Sequence, residues 1–172
     1  MSGPALPAPG RVDASIQAVA DYYGTQLRVT NGYRFDVKYV SRIREDLESL
    51  RAHQMPAILV ARPPGQSGQS QHLGIAAYKE TIDLFVLGFI RPRSAKNVKD
   101  SGFARLSEAF LSDIKRVARK QVAPPPGARR FECPYIHDTF EVDSSNDVTW
   151  DAPGAVVGIG LRLIVLTDGE NP

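Results

Sequence analysis

The sequence is poor in cysteine and has no long apolar run. A single cysteine, Cys133, excludes an intramolecular disulfide and favours a reducing compartment. No apolar run approaches the roughly 20 residues that a membrane-spanning helix requires. Residues 1–10 have neither the charged start nor the continuous apolar core of a signal peptide. We therefore expect a soluble protein of the cytoplasm.

The sequence also lacks any grouping of residues that specifies a reaction. His137, Asp138, Glu141 and Asp143 lie close together and invite a metal or acid–base interpretation. In an extended strand, however, Glu141 and Asp143 share a face while His137 and Asp138 oppose each other. Ser67, Ser70 and Cys133 have no local base or helix N-terminus that would activate them as nucleophiles. We therefore expect no enzyme, and no catalytic, metal-binding or cofactor-binding residue.

Length and composition predict one folded domain. The chain has 172 residues, of which 42% are hydrophobic and 23% are charged, as in ordinary globular proteins. We expect a flexible, proline-rich arm over residues 1–12, a single domain over residues 13–168, and a short tail over residues 169–172.

The charge is unevenly distributed along the chain. Between Arg91 and Arg130 there are eleven basic and three acidic residues, a net charge of +8, so the remainder carries −6 of the total of +2. Such polarity suits docking against a charged partner or DNA, and a solvated helix face is the alternative. The candidate basic surface consists of Arg91, Arg93, Lys96, Lys99, Lys115, Arg116, Arg119 and Lys120.

Apolar spacings of three and four predict two principal helices. The first is expected to begin at a cap on Asp13 and to end near Arg28. The second covers residues 103–120. Their predicted apolar stripes are Ile16, Val19, Ala20, Tyr23 and Leu27 in the first, and Phe103, Leu106, Phe110, Ile114 and Val117 in the second.

Period-two patterns and short apolar runs predict the strands. They cover residues 33–40, 57–61, 78–90 and 156–165, with a hairpin formed by residues 131–136 and 139–142. Gly158 and Gly160 lie within the last strand, where they permit either close backbone approach or a bend. Residues 41–53 are expected to form a short helix or an irregular crossing.

This order of elements predicts an α+β fold, a mainly antiparallel sheet with both helices packed on one face. The other face, holding Phe85, Phe89 or the aromatic residues of the first strand, needs a cover, which a neighbouring subunit could supply. Residues 62–71 are rich in Pro, Gly, Gln and Ser and are expected to form a surface loop that orders on assembly. The candidate assembly interface is therefore Arg62, Gln66, Gln69, Gln71 and His72.

The chain resembles the tail terminator proteins of long-tailed bacteriophages, also called tail completion or tail tube terminator proteins. The resemblance covers residues 15–166. It rests on the Asn31-Gly32-Tyr33 turn after the first helix, the Met55-Pro56-Ala57-Ile58 entry into a strand, and the variable loop before Ile82-Asp83-Leu84. It continues through the helix over residues 106–117, with Leu111, Asp113 and Ile114 in its middle, and the closing strand. The proline-rich arm and residues 41–53 depart from shorter relatives.

The resemblance implies a structural role. Family members form a ring, usually of six copies, on the head-proximal end of the tail tube, where they stop tube polymerisation and receive the head connector. The implied partners are sibling subunits, the tube protein, the head completion or connector protein and, transiently, DNA in the lumen. The implied location is the virion, assembled in the host cytoplasm. Two alternatives stay open: a nonspecific DNA-binding module centred on residues 115–120, and a neighbouring neck or head-completion adaptor protein.

Overall fold

A computed structural model describes residues 10–42, 49–63, 69–74, 77–91, 101–143, 149–151 and 154–168. Its helices are α1 (Arg11–Gln26) and α2 (Ser101–Val122). Its strands are β1 (Tyr39–Ser41), β2 (Ala57–Ala61), β3 (Gln69–Gly74), β4 (Ala77–Ile90), β5 (Ile136–Asp143), β6 (Thr149–Asp151) and β7 (Gly154–Asp168). The predicted α+β class is confirmed.

The strands form one mainly antiparallel sheet. Five of them follow the order β1-β2-β4-β7-β5, while β3 pairs with β4 and β6 pairs with β7. Within the described ranges, only β1 and β2 pair in parallel. The longest ladder given by the described strands joins β4 to β7 and runs from Ala77 opposite Asp168 to Ile90 opposite Ala155.

Both helices pack on the same face of the sheet, as predicted. Alternate side chains of each strand point toward them, because successive side chains in a strand lie on opposite faces. The resulting core contains the predicted α1 stripe and most of the α2 stripe, together with Ile58, Val60, Ile82, Leu84, Val86, Val157, Ile159, Leu161, Leu163 and Val165. The predicted place of Leu106 in the α2 stripe is wrong, since its side chain is 43% exposed. Within the described residues, neither helix is long and apolar enough to cross a membrane.

The start of α1 differs from the prediction. Gly10 occupies the cap position and the helix begins at Arg11, so it starts within the segment predicted to be a flexible arm. Asp13 lies in the first turn, where its carboxylate pairs with the guanidinium of Arg42. The hydrogen bond from Arg42 holds the pKa of Asp13 below its usual value. Asp13 therefore ties α1 to the end of β1 and does not cap the helix.

The predicted strand over residues 33–40 is wrong except at its end. Only Tyr39–Ser41 pairs with the sheet. The preceding extended segment bonds the end of α1 instead: the Val37 N–H donates to the carbonyl of Leu27 at 3.1 Å, and the Asp36 carboxylate accepts from the Val29 N–H at 2.8 Å. Alternation of apolar and polar side chains indicates an extended backbone with one buried face. It does not indicate which segment that backbone forms hydrogen bonds with.

The predicted hairpin within residues 131–142 is also wrong. β5 is a single strand that pairs with β7. Residues Arg130–Glu132 form a 3-10 turn in which Phe131 has a φ of 50°. The Phe131 N–H donates to the side-chain oxygen of Gln121 in α2 at 2.6 Å. This long-range bond holds a left-handed turn where the sequence indicates a strand.

Two further segments differ from expectation. The predicted surface loop is wrong from Gln69 onward, because β3 begins there and pairs with β4. Strand pairing uses backbone groups, so a segment without apolar side chains can still join a sheet. Residues 64–68 lie outside the described residues. Of residues 41–53, Ser41 ends β1 and a 3-10 turn begins at Ala52, while residues 43–48 lie outside the described residues.

Candidate assembly interface

The second face of the sheet is half covered by the chain itself. Leu50, from the segment before β2, packs with Ala57, Leu59 and Phe89 in a small apolar cluster. Phe89 is buried there, so the prediction that Phe89 needs a subunit neighbour to hide it is wrong. The cluster covers the part of the face where β2 meets the end of β4.

The other half of this face presents aromatic side chains at the surface. Phe85 in β4 and Phe140 in β5 are 42% and 43% exposed. Phe85 lies opposite Gly160 in β7, and Phe140 lies opposite Arg162, two residues further along the same strand. Because Gly160 has no side chain, the surface between the two rings is lowered. We call this region, Phe85, Phe140, Gly160, Asp83 and Arg162, the open face.

An ion pair lies within the open face. The Arg162 guanidinium donates to both oxygens of Asp83, from Nε at 2.7 Å and from Nη2 at 3.0 Å. These bonds lower the pKa of the Asp83 carboxyl. The bidentate geometry fixes both side chains. Because their charges are opposite, the pair has no net charge. The open face therefore combines exposed aromatic surface with a matched charge pair.

Gly158 has one of the two roles that the sequence predicts for it, a close approach of a neighbouring strand. A Cβ at this position would lie 2.4 Å from Cδ2 of Leu87 and 3.1 Å from the carbonyl oxygen of Val86. Leu87 therefore lies over the Gly158 backbone, and a larger residue at this position would displace the Leu87 side chain. This close approach joins the open face to the cluster around Phe89.

Two of the three aromatic residues of segment 33–40, Tyr33 and Phe35, lie on the helix side, so the prediction that they could form the uncovered face is wrong. Tyr39 does lie on the second face, where it packs partly buried against the cluster around Phe89. The Phe35 ring packs against Phe110 of α2 with centroids 4.9 Å apart. Tyr33 is buried beneath two cations of α2, Arg116 at 4.8 Å and Lys120 at 5.0 Å from its ring centre.

Four of the eight residues of the predicted basic surface lie in the C-terminal part of α2. We call Lys115, Arg116, Arg119 and Lys120 the basic end of α2. Arg116 reaches Asp113 at 3.5 Å, and Arg119 reaches Glu141 of β5 at 3.6 Å. Of the other predicted members, Arg91 follows β4 and lies beside Gly154. Arg93, Lys96 and Lys99 lie outside the described residues.

The described members of the predicted assembly set lie in or directly after strands that pair with β4. Gln69, Gln71 and His72 belong to β3, and Gln66 lies outside the described residues. Arg62 follows β2 and lines a cleft of about 590 Å³ at the start of α1. The other lining residues are Gly10, Val12, Asp13, Ile16, Arg42, Val60, Ala61 and Glu80.

The acidic group near His137 is divided between two faces. Glu141 pairs in register with Leu161, a core position, whereas Asp138 pairs with Ile164 on the opposite face. Asp138 forms an ion pair with Arg130 at 3.0 Å. In the part of the chain that the structure describes, no group of three or more histidine, cysteine or acidic side chains is placed to hold a metal ion.

Sequence reasoning missed Phe140 and Arg162 as members of the open face. The alternation in residues 156–165 does place Arg162 on the mixed face of the last strand. What it lacks is the register, which alone brings Asp83 and Phe140 to either side of Arg162.

No protein-family model matches the chain, and a comparison with curated proteins gives no match either.

Proposed function

We propose that the protein is a structural component of a bacteriophage tail. It forms a ring on the head-proximal end of the tail tube, stops polymerisation of the tube protein, and offers the surface that joins the tail to the head connector. The observation that carries an assembly role is the open face, where Phe85 and Phe140 are 42% and 43% exposed on a sheet whose other face is packed.

Exposed aromatic side chains on one sheet face indicate contact with another protein. Phenylalanine is enriched in the centres of protein interfaces and gains free energy when it leaves water. The Asp83–Arg162 pair on the same face is already matched, so burying it leaves no lone charge without a partner. A neighbouring subunit with an apolar surface fits these properties.

A closed ring also needs two different surfaces on each copy. In a head-to-tail contact one surface of a subunit meets a different surface of the next, and rotation closes the ring. The open face and the helix-covered face supply two such surfaces, because α1 and α2 both pack on the side of the sheet away from Phe85 and Phe140. A two-fold dimer is the competing arrangement, in which open face meets open face.

Two of the segments on which the resemblance rests contact each other. The turn at residues 31–33 rests on the middle of α2: the Arg34 N–H donates to the buried Asp113 carboxylate at 2.6 Å, and Arg116 donates to the carbonyl of Gly32 at 3.3 Å. Gly32 has a φ of 80°, which favours glycine. Two separate parts of the resemblance thus form one structural unit, which supports the proposal.

The assembly role is tested by light scattering and electron microscopy of the purified protein. We expect a discrete ring, and we expect Phe85→Gln combined with Phe140→Gln to yield monomers with an unchanged circular dichroism spectrum. Leu106→Gln is the matched control, because Leu106 is 43% exposed on α2, outside the open face. A double variant that assembles like the wild type contradicts the role of the open face.

The position on the tail is tested by gold labelling of this protein in assembled tails. We expect label at the head-proximal end alone, and longer tubes when the protein is withdrawn from the assembly reaction. Label along the whole tube would contradict a terminator. Label that stays with the head when tails are detached would favour a neck adaptor instead.

A further inference from the structure

The basic end of α2 concentrates positive charge on a short length of helix. Lys115, Arg116, Arg119 and Lys120 lie within its last eight residues, at spacings that place neighbours on adjoining turns. We propose that this surface binds the phosphate backbone of duplex DNA without reading its sequence. This inference goes beyond the proposed function and does not require a ring.

Tyr33 holds two of these cations in place before any ligand arrives. Arg116 and Lys120 both lie over its ring, at 4.8 and 5.0 Å from the centre. A cation over an aromatic face is attracted to the negative charge of that face while its outer side stays in water. The side chain of Arg116 remains 48% exposed. Less conformational entropy is therefore lost when a phosphate binds.

The carboxylates that meet Arg116 and Arg119 leave both cations open to solvent. Asp113, which faces Arg116, is buried, and its other oxygen accepts the N–H of Arg34. Glu141 faces Arg119, whose side chain is nevertheless 67% exposed. The side chains of Arg116, Arg119 and Lys120 thus stay exposed although two of them face a carboxylate. A polyanion can therefore reach three positive groups here.

The chemistry of the surface favours DNA over a protein partner. The centre of a protein interface has an apolar anchor, whereas the ring of Tyr33 is already buried beneath Arg116 and Lys120. Lys and Arg contacts to phosphate supply nonspecific affinity, because duplex DNA carries one charge per 1.7 Å or so of its length. The apolar face of α2 is packed on the sheet, so the helix offers no broad face to a groove.

The test is fluorescence anisotropy of a labelled duplex of about 30 base pairs with the purified full-length protein. Contacts to three or four phosphates predict that affinity falls roughly 10²-fold between 50 and 200 mM salt. Arg119→Gln combined with Lys120→Gln is expected to weaken binding at least tenfold at 50 mM salt and to reduce the salt slope by about 2. Both side chains are exposed, so the fold is expected to persist.

The matched control removes the same charge elsewhere. Lys38→Gln combined with Arg105→Gln replaces two exposed cations outside the basic end of α2 and is expected to bind within about threefold of wild type. Equal binding by the two double variants would overturn the proposal. So would a wild-type protein that fails to bind at 50 mM salt, a strong preference for one duplex sequence, or tighter binding to single-stranded RNA.

The result is separable from the proposed function. A protein that binds duplex DNA through this surface and forms no ring supports this inference and contradicts the terminator. A ring that binds no DNA contradicts this inference and leaves the terminator standing. Circular dichroism of each variant establishes that a loss of binding is not a loss of fold.

Discussion

The ring of Phe110 lies directly over Gly88. A Cβ on Gly88 would lie 2.6 Å from ring carbon Cε1 of Phe110 and 2.6 Å from Cδ1 of Ile114. Phe110 and Ile114 are fully buried. The missing side chain in β4 therefore sets how closely α2 approaches the sheet, and with it the position of every residue that α2 carries.

Gly88→Ala is expected to destabilise the fold by about 1–3 kcal/mol, because the added methyl group overpacks a filled core. The free energy of unfolding in urea measures the change. Gly24→Ala is the control: its Cβ would lie 3.3 Å from Cγ2 of Val40, and alanine is favoured over glycine in a helix. A smaller loss at Gly88 than at Gly24 would show that α2 is not seated as described.

Phe110→Asp is expected to unfold the protein, since it places an unpaired charge in the core at a cost of about 4 kcal/mol or more. Leu106→Asp, one turn earlier on the same helix, is expected to cost less than about 1 kcal/mol because Leu106 is 43% exposed. Circular dichroism and urea titration compare the two. Equal losses would mean that the orientation of α2 is wrong.

Gln121→Leu is expected to cost about 1–3 kcal/mol, because it leaves a buried N–H without its acceptor. Gln121 accepts from the Phe131 N–H at 2.6 Å and donates to the Tyr22 hydroxyl at 2.8 Å. Gln17→Leu is the control, since the exposed Gln17 amide bonds only groups at the surface. Urea unfolding of both variants is the measurement, and matched values would contradict a structural role for the Gln121–Phe131 bond.

The Asp83–Arg162 pair predicts a pH dependence. Hydrogen bonding to Arg162 lowers the pKa of Asp83 in the folded state. Its stabilising contribution is therefore complete above the pKa of the unfolded chain and is lost as pH falls through the folded pKa, that is, below about pH 4. Melting temperatures from pH 7 to pH 2 are expected to show wild type above Asp83→Asn at neutral pH, with the difference closing in acid.

Arg162→Gln supplies the control for that titration. In this background the cause of the lowered pKa is absent, so Asp83→Asn is expected to change the melting temperature little at any pH. The pair is partly exposed, and the difference at neutral pH is accordingly expected to shrink in high salt. A difference in melting temperature that depends neither on salt nor on the presence of Arg162 would contradict its origin in the ion pair.

Most of the sheet was predictable because apolar periodicity survives in isolated segments. The strands at residues 57–61, 78–90 and 156–165 match β2, β4 and β7 to within a few residues. β3 was not predicted, because Leu73 is its one apolar residue and an apolar period cannot be recognised in it. The strand predicted at residues 33–40 failed for the opposite reason: its buried face packs on helices and its backbone bonds the end of α1.

The open face was predictable in part. Alternation puts Phe85 on the side of β4 away from Ile82, Leu84 and Val86, and a sheet with helices on one face leaves its other face to be covered. Sequence alone could not show that Leu50 covers Phe89, nor that β7 separates Phe85 from Phe140. Those facts depend on contacts between residues far apart in the chain.

By itself, the sequence determined the class of fold, the two helices with their buried stripes and the principal strands. These follow from the period of 3.6 or 2 with which a local segment separates apolar from polar side chains. The tertiary structure decided the strand register that pairs Asp83 with Arg162 and the packing of Phe110 against Gly88. It also decided which aromatic side chains stay exposed. Such pairings are settled by long-range packing and hydrogen bonding, which no local pattern encodes.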